Sequence, residues 1–81
     1  MFYFYILKSK KFGTYYIGIS GNIEERWKAH NNGLVKSTKY KRPWSVVHKE
    51  GFSTLKQARK RELYMKSLKS RKAIEGLIKH I

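Results

Sequence analysis

Phe2-Tyr3-Phe4-Tyr5-Ile6-Leu7-Lys8, followed after a short interval by Thr14-Tyr15-Tyr16-Ile17-Gly18-Ile19, is the stretch that decides the fold. Both runs are rich in aromatic and β-branched side chains, which fit a pleated surface better than a helix. The polar segment between them, Ser9-Lys10-Lys11-Phe12-Gly13, is long enough only to turn the chain back, so the pattern predicts an antiparallel hairpin. Alternation places Tyr3 and Tyr5 on one face of the first strand. It places Tyr16 and Gly18 together on one face of the second, opposite Tyr15, Ile17 and Ile19.

Outward from the hairpin, Asn22 with Glu25 three residues later forms a capping box and predicts a helix from Ile23 to about Asn31, closed by Gly33. Ile23, Arg26, Trp27 and His30 share one face of that helix, which turns Arg26 and His30 toward the sheet. Residues 31–43 read as a basic loop, and Trp44 to Glu50 as a third strand. Ser53, or Thr54 with Gln57, caps a second helix running to about Lys69 with Leu55, Ala58, Met65 and Leu68 as its apolar stripe. Ser70 caps a last helix carrying Ala73, Ile74, Leu77, Ile78 and Ile81 at helical spacing. The expectation is an α/β (α+β) domain spanning residues 1–81: a small, mainly antiparallel three-stranded sheet flanked by helices, in the order ββαβαα.

Of the 81 residues, 19 are Lys or Arg and five are acidic, for a formal charge of +14. A body this small with such a surplus attracts polyanions, with nucleic acid as the first expected partner and an anionic membrane surface as the second. With 41% hydrophobic residues, 12 of them aromatic, the chain is too apolar for a disordered basic tail. There is no cysteine, which excludes disulfides, thiolate nucleophiles and thiolate metal sites and fits a cytosolic or nuclear location, cytoplasmic and nucleoid-associated if the source is bacterial. The longest apolar run is Phe2 to Leu7, far short of a membrane span. No aspartate is present, so a mechanism needing a cluster of carboxylates has little material, and a metal site would rest on one protein carboxylate.

Glu62 is the carboxylate that breaks the pattern. At 100° per residue it points about 340° from Leu55, inside the second helix's apolar stripe beside Ala58 and Met65. An unpaired carboxylate there costs several kcal/mol, so it needs a cation, hydrogen bonds or a cleft. Two readings stand side by side: an ion pair with Arg59 or Lys66 at helical spacing, or a metal ligand. His30 likewise reads either as an inward histidine satisfied by a backbone carbonyl or as a functional group one turn beyond Arg26.

A strand bearing Tyr5, a second carrying Tyr16-Ile17-Gly18, a helix with Arg26 and His30, and a helix with an inward Glu62 together resemble the GIY-YIG nuclease superfamily. The resemblance is to its small stand-alone domains, similar to the N-terminal nuclease domain of the excision-repair subunit UvrC, and covers almost the whole chain. The second motif is intact as Tyr16-Ile17-Gly18. The first appears as Tyr3-Phe4-Tyr5, keeping only the final tyrosine. Asn31-Asn32-Gly33 and Pro43-Trp44 match further habits of the small members. Ile19 stands where excision-repair members often carry a lysine.

The resemblance implies that Tyr5, Tyr16, Arg26 and Glu62 line one cleft, with Glu62 holding a single Mg²⁺ or Mn²⁺, and that the activity is metal-dependent hydrolysis of DNA phosphodiesters, structure-selective, in repair or recombination. In that chemistry the metal assists the departing 3′ oxygen, and Arg26 grips the non-bridging oxygens through two donors. Tyr16 would be the general base, helped by the metal, Arg26 and the basic field, with His30 as an alternative base or relay. Gly18 is expected to leave room for a phosphate beside Tyr16. Lys36, Lys39, Tyr40, Lys41 and Arg42 form a candidate backbone-binding segment for duplex or branched DNA, with weak sequence preference. No small-molecule cofactor and no membrane partner are expected. The competing reading is a non-catalytic basic nucleic-acid-binding module on the same fold.

Overall fold

A computed structural model describes residues 1–78. The elements follow the order β1 (Phe2–Ser9), β2 (Tyr15–Ser20), α1 (Ile23–Asn31), a 3₁₀ turn (Lys39–Lys41), β3 (Trp44–Phe52), α2 (Leu55–Ser67) and α3 (Arg71–Ile78). The strands form one antiparallel sheet in the order β2-β1-β3, with β1 in the middle. This is the ββαβαα arrangement read from the sequence.

The absence of polar alternation in β1 has a direct cause: both of its faces are covered. Phe4 and Ile6 point to one side, where they pack with Ile17 of β2, Met65 of α2, and Ala73, Ile74 and Leu77 of α3. Tyr5 and Leu7 point to the other, where they meet Trp44, Tyr16, and Ile23 and Trp27 of α1. Four consecutive side chains, Phe4 to Leu7, are therefore buried. The sheet is a wall between a layer made by α2 and α3 and a layer made by α1.

The helix starts obey their capping chemistry. Asn22 Oδ1 accepts from the Glu25 amide at 3.1 Å, Thr54 Oγ1 accepts from the Gln57 amide at 3.2 Å, and Ser70 Oγ accepts from the Ala73 amide at 3.1 Å. Gly33 sits at φ +75° just beyond α1, a conformation that favours glycine. Three expectations need correction. The third strand runs two residues further than Glu50, to Phe52, because Tyr3 and Phe2 supply pairing partners for Gly51 and Phe52. The second helix ends at Ser67 rather than Lys69, which takes φ +46° at the junction with α3. Its apolar stripe is shorter than the periodicity indicated: Ala58 and Met65 are buried, whereas Leu55 and Leu68, at the two ends of the helix, are exposed. Ile81 lies outside the described residues.

Candidate active site

The site is built on the α1 side of the β1–β2 pair. Tyr5 stands opposite Gly18 in the register, so the two share a face, and Tyr16 follows on that same face two residues away. The expectation that Gly18 opens room for a phosphate is corrected here: the occupant is the Tyr5 ring. A Cβ at Gly18 would meet Tyr5 Oη at 2.6 Å and Cζ at 2.7 Å, and Tyr16 Cε2 at 3.1 Å. Glycine is required because the phenol lies across the strand at that point. Tyr5 is thereby fully buried, while Tyr16 remains half-buried with its ring 6.4 Å from that of Tyr5 and 4.7 Å from that of His30.

His30 is 0% exposed, and its partners are two hydroxyls rather than a backbone carbonyl. Nε2 lies 3.2 Å from Tyr5 Oη, and Nδ1 lies 2.7 Å from Thr38 Oγ1. Thr38 Oγ1 also lies 3.3 Å from the Val35 carbonyl oxygen, to which it donates. A buried chain of polar groups thus runs from the sheet through α1 into the basic loop.

Burial pushes the Tyr5 hydroxyl up to about 12, with Tyr16 and Glu62 adding to the rise and the Arg26 guanidinium beside it opposing. Burial, and then the charge of Arg26, pull the His30 imidazole down to about 4, so it is neutral at physiological pH. Arg26 departs in part from its expected placement: its charge reaches Tyr5 and His30, yet the residue itself is exposed and lines a small open cavity of ≈180 Å³ with Ser20, Asn22, Glu25 and Ala29. Tyr5, from the central strand, therefore feels both a cation from α1 and a carboxylate from α2.

Glu62 is largely buried as its position on the helix indicated, with its side chain 13% exposed. Of the two cations offered by helical spacing, Lys66 is the partner: its Nζ donates to Oε2 at 3.1 Å and is itself half exposed. Such an ion pair is weak and open to exchange. Among the described residues no three His, Asp or Glu gather as a metal cage. The donor set nonetheless suits Mg²⁺ or Mn²⁺: one hard carboxylate oxygen, with water and substrate phosphate filling the other positions, is how such ions are commonly held. A lysine that can turn to solvent leaves that oxygen available.

Comparison with known proteins places this geometry. Residues 1–75 match the model of the GIY-YIG catalytic domain. The chain belongs to the GIY-YIG family. Its relatives include UPF0213 protein SSP2268 of Staphylococcus saprophyticus, 40% identical over 74 residues that cover 90% of this chain and 89% of that one. UPF0213 protein YazA of Bacillus subtilis is 37% identical over 71 residues, 86% of this chain and 71% of the relative. The solution NMR structure of UPF0213 protein BH0048 from Bacillus halodurans superimposes with a TM-score of 0.60 at 32% identity, covering 98% of this chain and 84% of that one.

Within this GIY-YIG domain, two features of the connecting segment escaped the sequence reading. Thr38 is 2% exposed and bonds the buried His30 imidazole, but a lone threonine in a polar loop carries no periodic signal. Asn31 clasps Trp44 by both backbone groups, accepting from its amide at 2.6 Å and donating to its carbonyl at 3.1 Å. The Trp27 indole donates to the same carbonyl at 2.7 Å. Those bonds join the asparagine that ends α1 to the tryptophan that opens β3, as two sides of one clamp. Lys36, Lys39, Tyr40, Lys41 and Arg42 lie apart from Tyr5 and Tyr16, exposed along the loop, with Lys39 Nζ 5.8 Å from the Tyr40 ring centre. Lys28, Arg61, Lys66 and Arg71 are paired with carboxylates among the described residues, which leaves most of the positive charge unneutralised. No helix among the described residues is long and apolar enough to cross a membrane.

Proposed function

We propose that this GIY-YIG protein is a metal-dependent DNA endonuclease that hydrolyses phosphodiester bonds in duplex or branched DNA during repair or recombination, in the compartment that holds the chromosome. The observation that carries the reading is the buried Tyr5 held against His30 with the half-buried Tyr16 beside both rings, on the face that also feels the charge of Arg26.

Tyr16, half-buried where Tyr5 is fully buried and with its ring against that of His30, takes the proton of the attacking water. His30 has no access to solvent and is held neutral, so it acts on Tyr5 and not on the water. Arg26, exposed at the rim and always charged, binds the non-bridging oxygens and offsets the charge that builds on them. Glu62 is the residue that would hold the metal, in place of its ion pair with Lys66. The chemistry a divalent ion supplies when held there is neutralisation of the departing 3′ oxygen. Lys36, Lys39, Tyr40, Lys41 and Arg42 bind the duplex backbone away from the scissile bond.

The test is incubation with duplex, flap, four-way-junction and single-stranded DNA, with Mg²⁺ or Mn²⁺ and with chelator. Cleavage is expected with metal only, and Glu62→Gln is expected to abolish it while DNA binding is retained. Wild-type turnover by Glu62→Gln would sink the assignment. DNA binding by the wild-type protein without cleavage on every substrate would favour a binding module instead.

A further inference from the structure

The hydrogen bonds around His30, with Thr38 donating to the Val35 carbonyl, favour one arrangement of its protons. Arg26 has donors only, and it stands beside the Tyr5 hydroxyl. Tyr5 therefore accepts on that side, and its own proton goes to His30 Nε2 at 3.2 Å. That nitrogen must carry a bare lone pair. The imidazole is neutral, so its single proton is on Nδ1, and its acceptor is Thr38 Oγ1 at 2.7 Å. The threonine proton is passed on to the Val35 carbonyl at 3.3 Å. With the opposite tautomer, Nε2–H would point at Tyr5, whose own proton would then face the Arg26 donors.

We propose that Thr38 is a positioning residue for the reaction: by accepting the Nδ1 proton of His30 it fixes the tautomer that makes Tyr5 an acceptor toward Arg26, and so aims the guanidinium at the phosphate. The chain of effect runs Thr38, His30, Tyr5, Arg26, and no member but the last touches substrate. The inference rests on the nuclease reading for its kinetic consequence, whereas the tautomer itself does not. The loop's burial of one threonine 2% exposed among exposed lysines then has a purpose beyond anchoring the 3₁₀ turn.

The experiment is long-range ¹H–¹⁵N NMR of the imidazoles in the full chain, with Thr38→Val and Thr38→Ser. The wild-type protein and Thr38→Ser are expected to show His30 protonated at Nδ1. Thr38→Val, which keeps the shape and loses the acceptor, is expected to shift His30 toward the Nε2–H form. It should also lower kcat by about 10–100-fold with KM for DNA little changed, as for other partners that orient a functional histidine. Thr38→Ser should restore most of kcat. A wild-type protein with His30 protonated at Nε2 would overturn the proposal outright, even if Thr38→Val failed to fold. So would a Thr38→Val protein with unchanged tautomer, or one with shifted tautomer and wild-type kcat. If the wild-type protein cleaves nothing, the nuclease reading fails separately, and titration of inorganic phosphate against the Arg26 side-chain resonance replaces the kinetics. Weaker phosphate binding in Thr38→Val supports the positioning role, and equal binding overturns it.

Discussion

Acidification tests the buried imidazole at the centre of the site. His30 titrates at about 4 in the folded protein against 6.5 for a free side chain, because burial and Arg26 both disfavour its charged form. Between those values the unfolded chain binds the proton more readily than the folded one, so stability rises with pH across the window and is lost as pH falls through it. A displacement of that size is worth about 3 kcal/mol. For a chain of this length total stability is on the order of 4–12 kcal/mol, so the loss is a large fraction of the whole. Urea denaturation followed by circular dichroism between pH 7 and pH 4 measures it. Glu50 provides the control: although burial pushes its carboxyl up, Arg61 and His48 hold it below the usual range, so its contribution is lost at lower pH than that of His30. His30→Gln, which cannot titrate, should flatten the slope between pH 6.5 and 5, and Glu50→Gln should leave it. An imidazole resonance of His30 that titrates near 6.5 in the folded protein would refute the reasoning, as would a stability that does not change over that interval.

Gly18→Ala should destabilise by about 1–3 kcal/mol, since the new methyl group meets a fully buried Tyr5 ring that cannot retreat; thermal denaturation reads this as a drop of several degrees, and an unchanged Tm would contradict the packing. Tyr16→Phe should lose 100-fold or more in kcat, while Tyr15→Phe, whose hydroxyl donates to Glu75 on the opposite side of the sheet, should stay within a few-fold. Equal effects in a single-turnover cleavage assay would remove Tyr16 from the proton path. Neutralising Lys39, Lys41 and Arg42 together should flatten the plot of log DNA affinity against log salt by two to three units, at about 0.9 for each phosphate no longer neutralised. An unchanged slope would make the loop merely a solvated basic segment.

Element order and helix starts were legible because each rests on local chemistry that one sequence displays: Asn22 with Glu25, Thr54 with Gln57, and Ser70 each cap the helix that follows. Strand order was not, since nothing in β1 says that β3 pairs with its free edge; that follows from packing both faces of Phe4 to Leu7 at once. Glu62 was legible as an outlier on its helix, and Lys66 proved to be its partner. Leu55 and Leu68 misled because periodicity says which way a side chain points and not whether anything lies beneath it. Thr38 was invisible, because its role comes from a hydrogen bond across eight residues of irregular loop.

Two of the sequence's departures from local rules bear on Tyr5. A glycine inside a strand weakens it, and a carboxylate inside an apolar stripe costs free energy, so each alone reads as a defect. Here β2 is an edge strand, and at Gly18 it presents no side chain toward Tyr5. The phenol lies across that gap at the margin of the sheet, where the charge of Arg26 from one layer and that of Glu62 from the other both act on it. Restoring a side chain at Gly18 would displace the ring from the strand. The glycine at position 18 is therefore what lets a buried tyrosine of the central strand lie over the edge strand and reach His30.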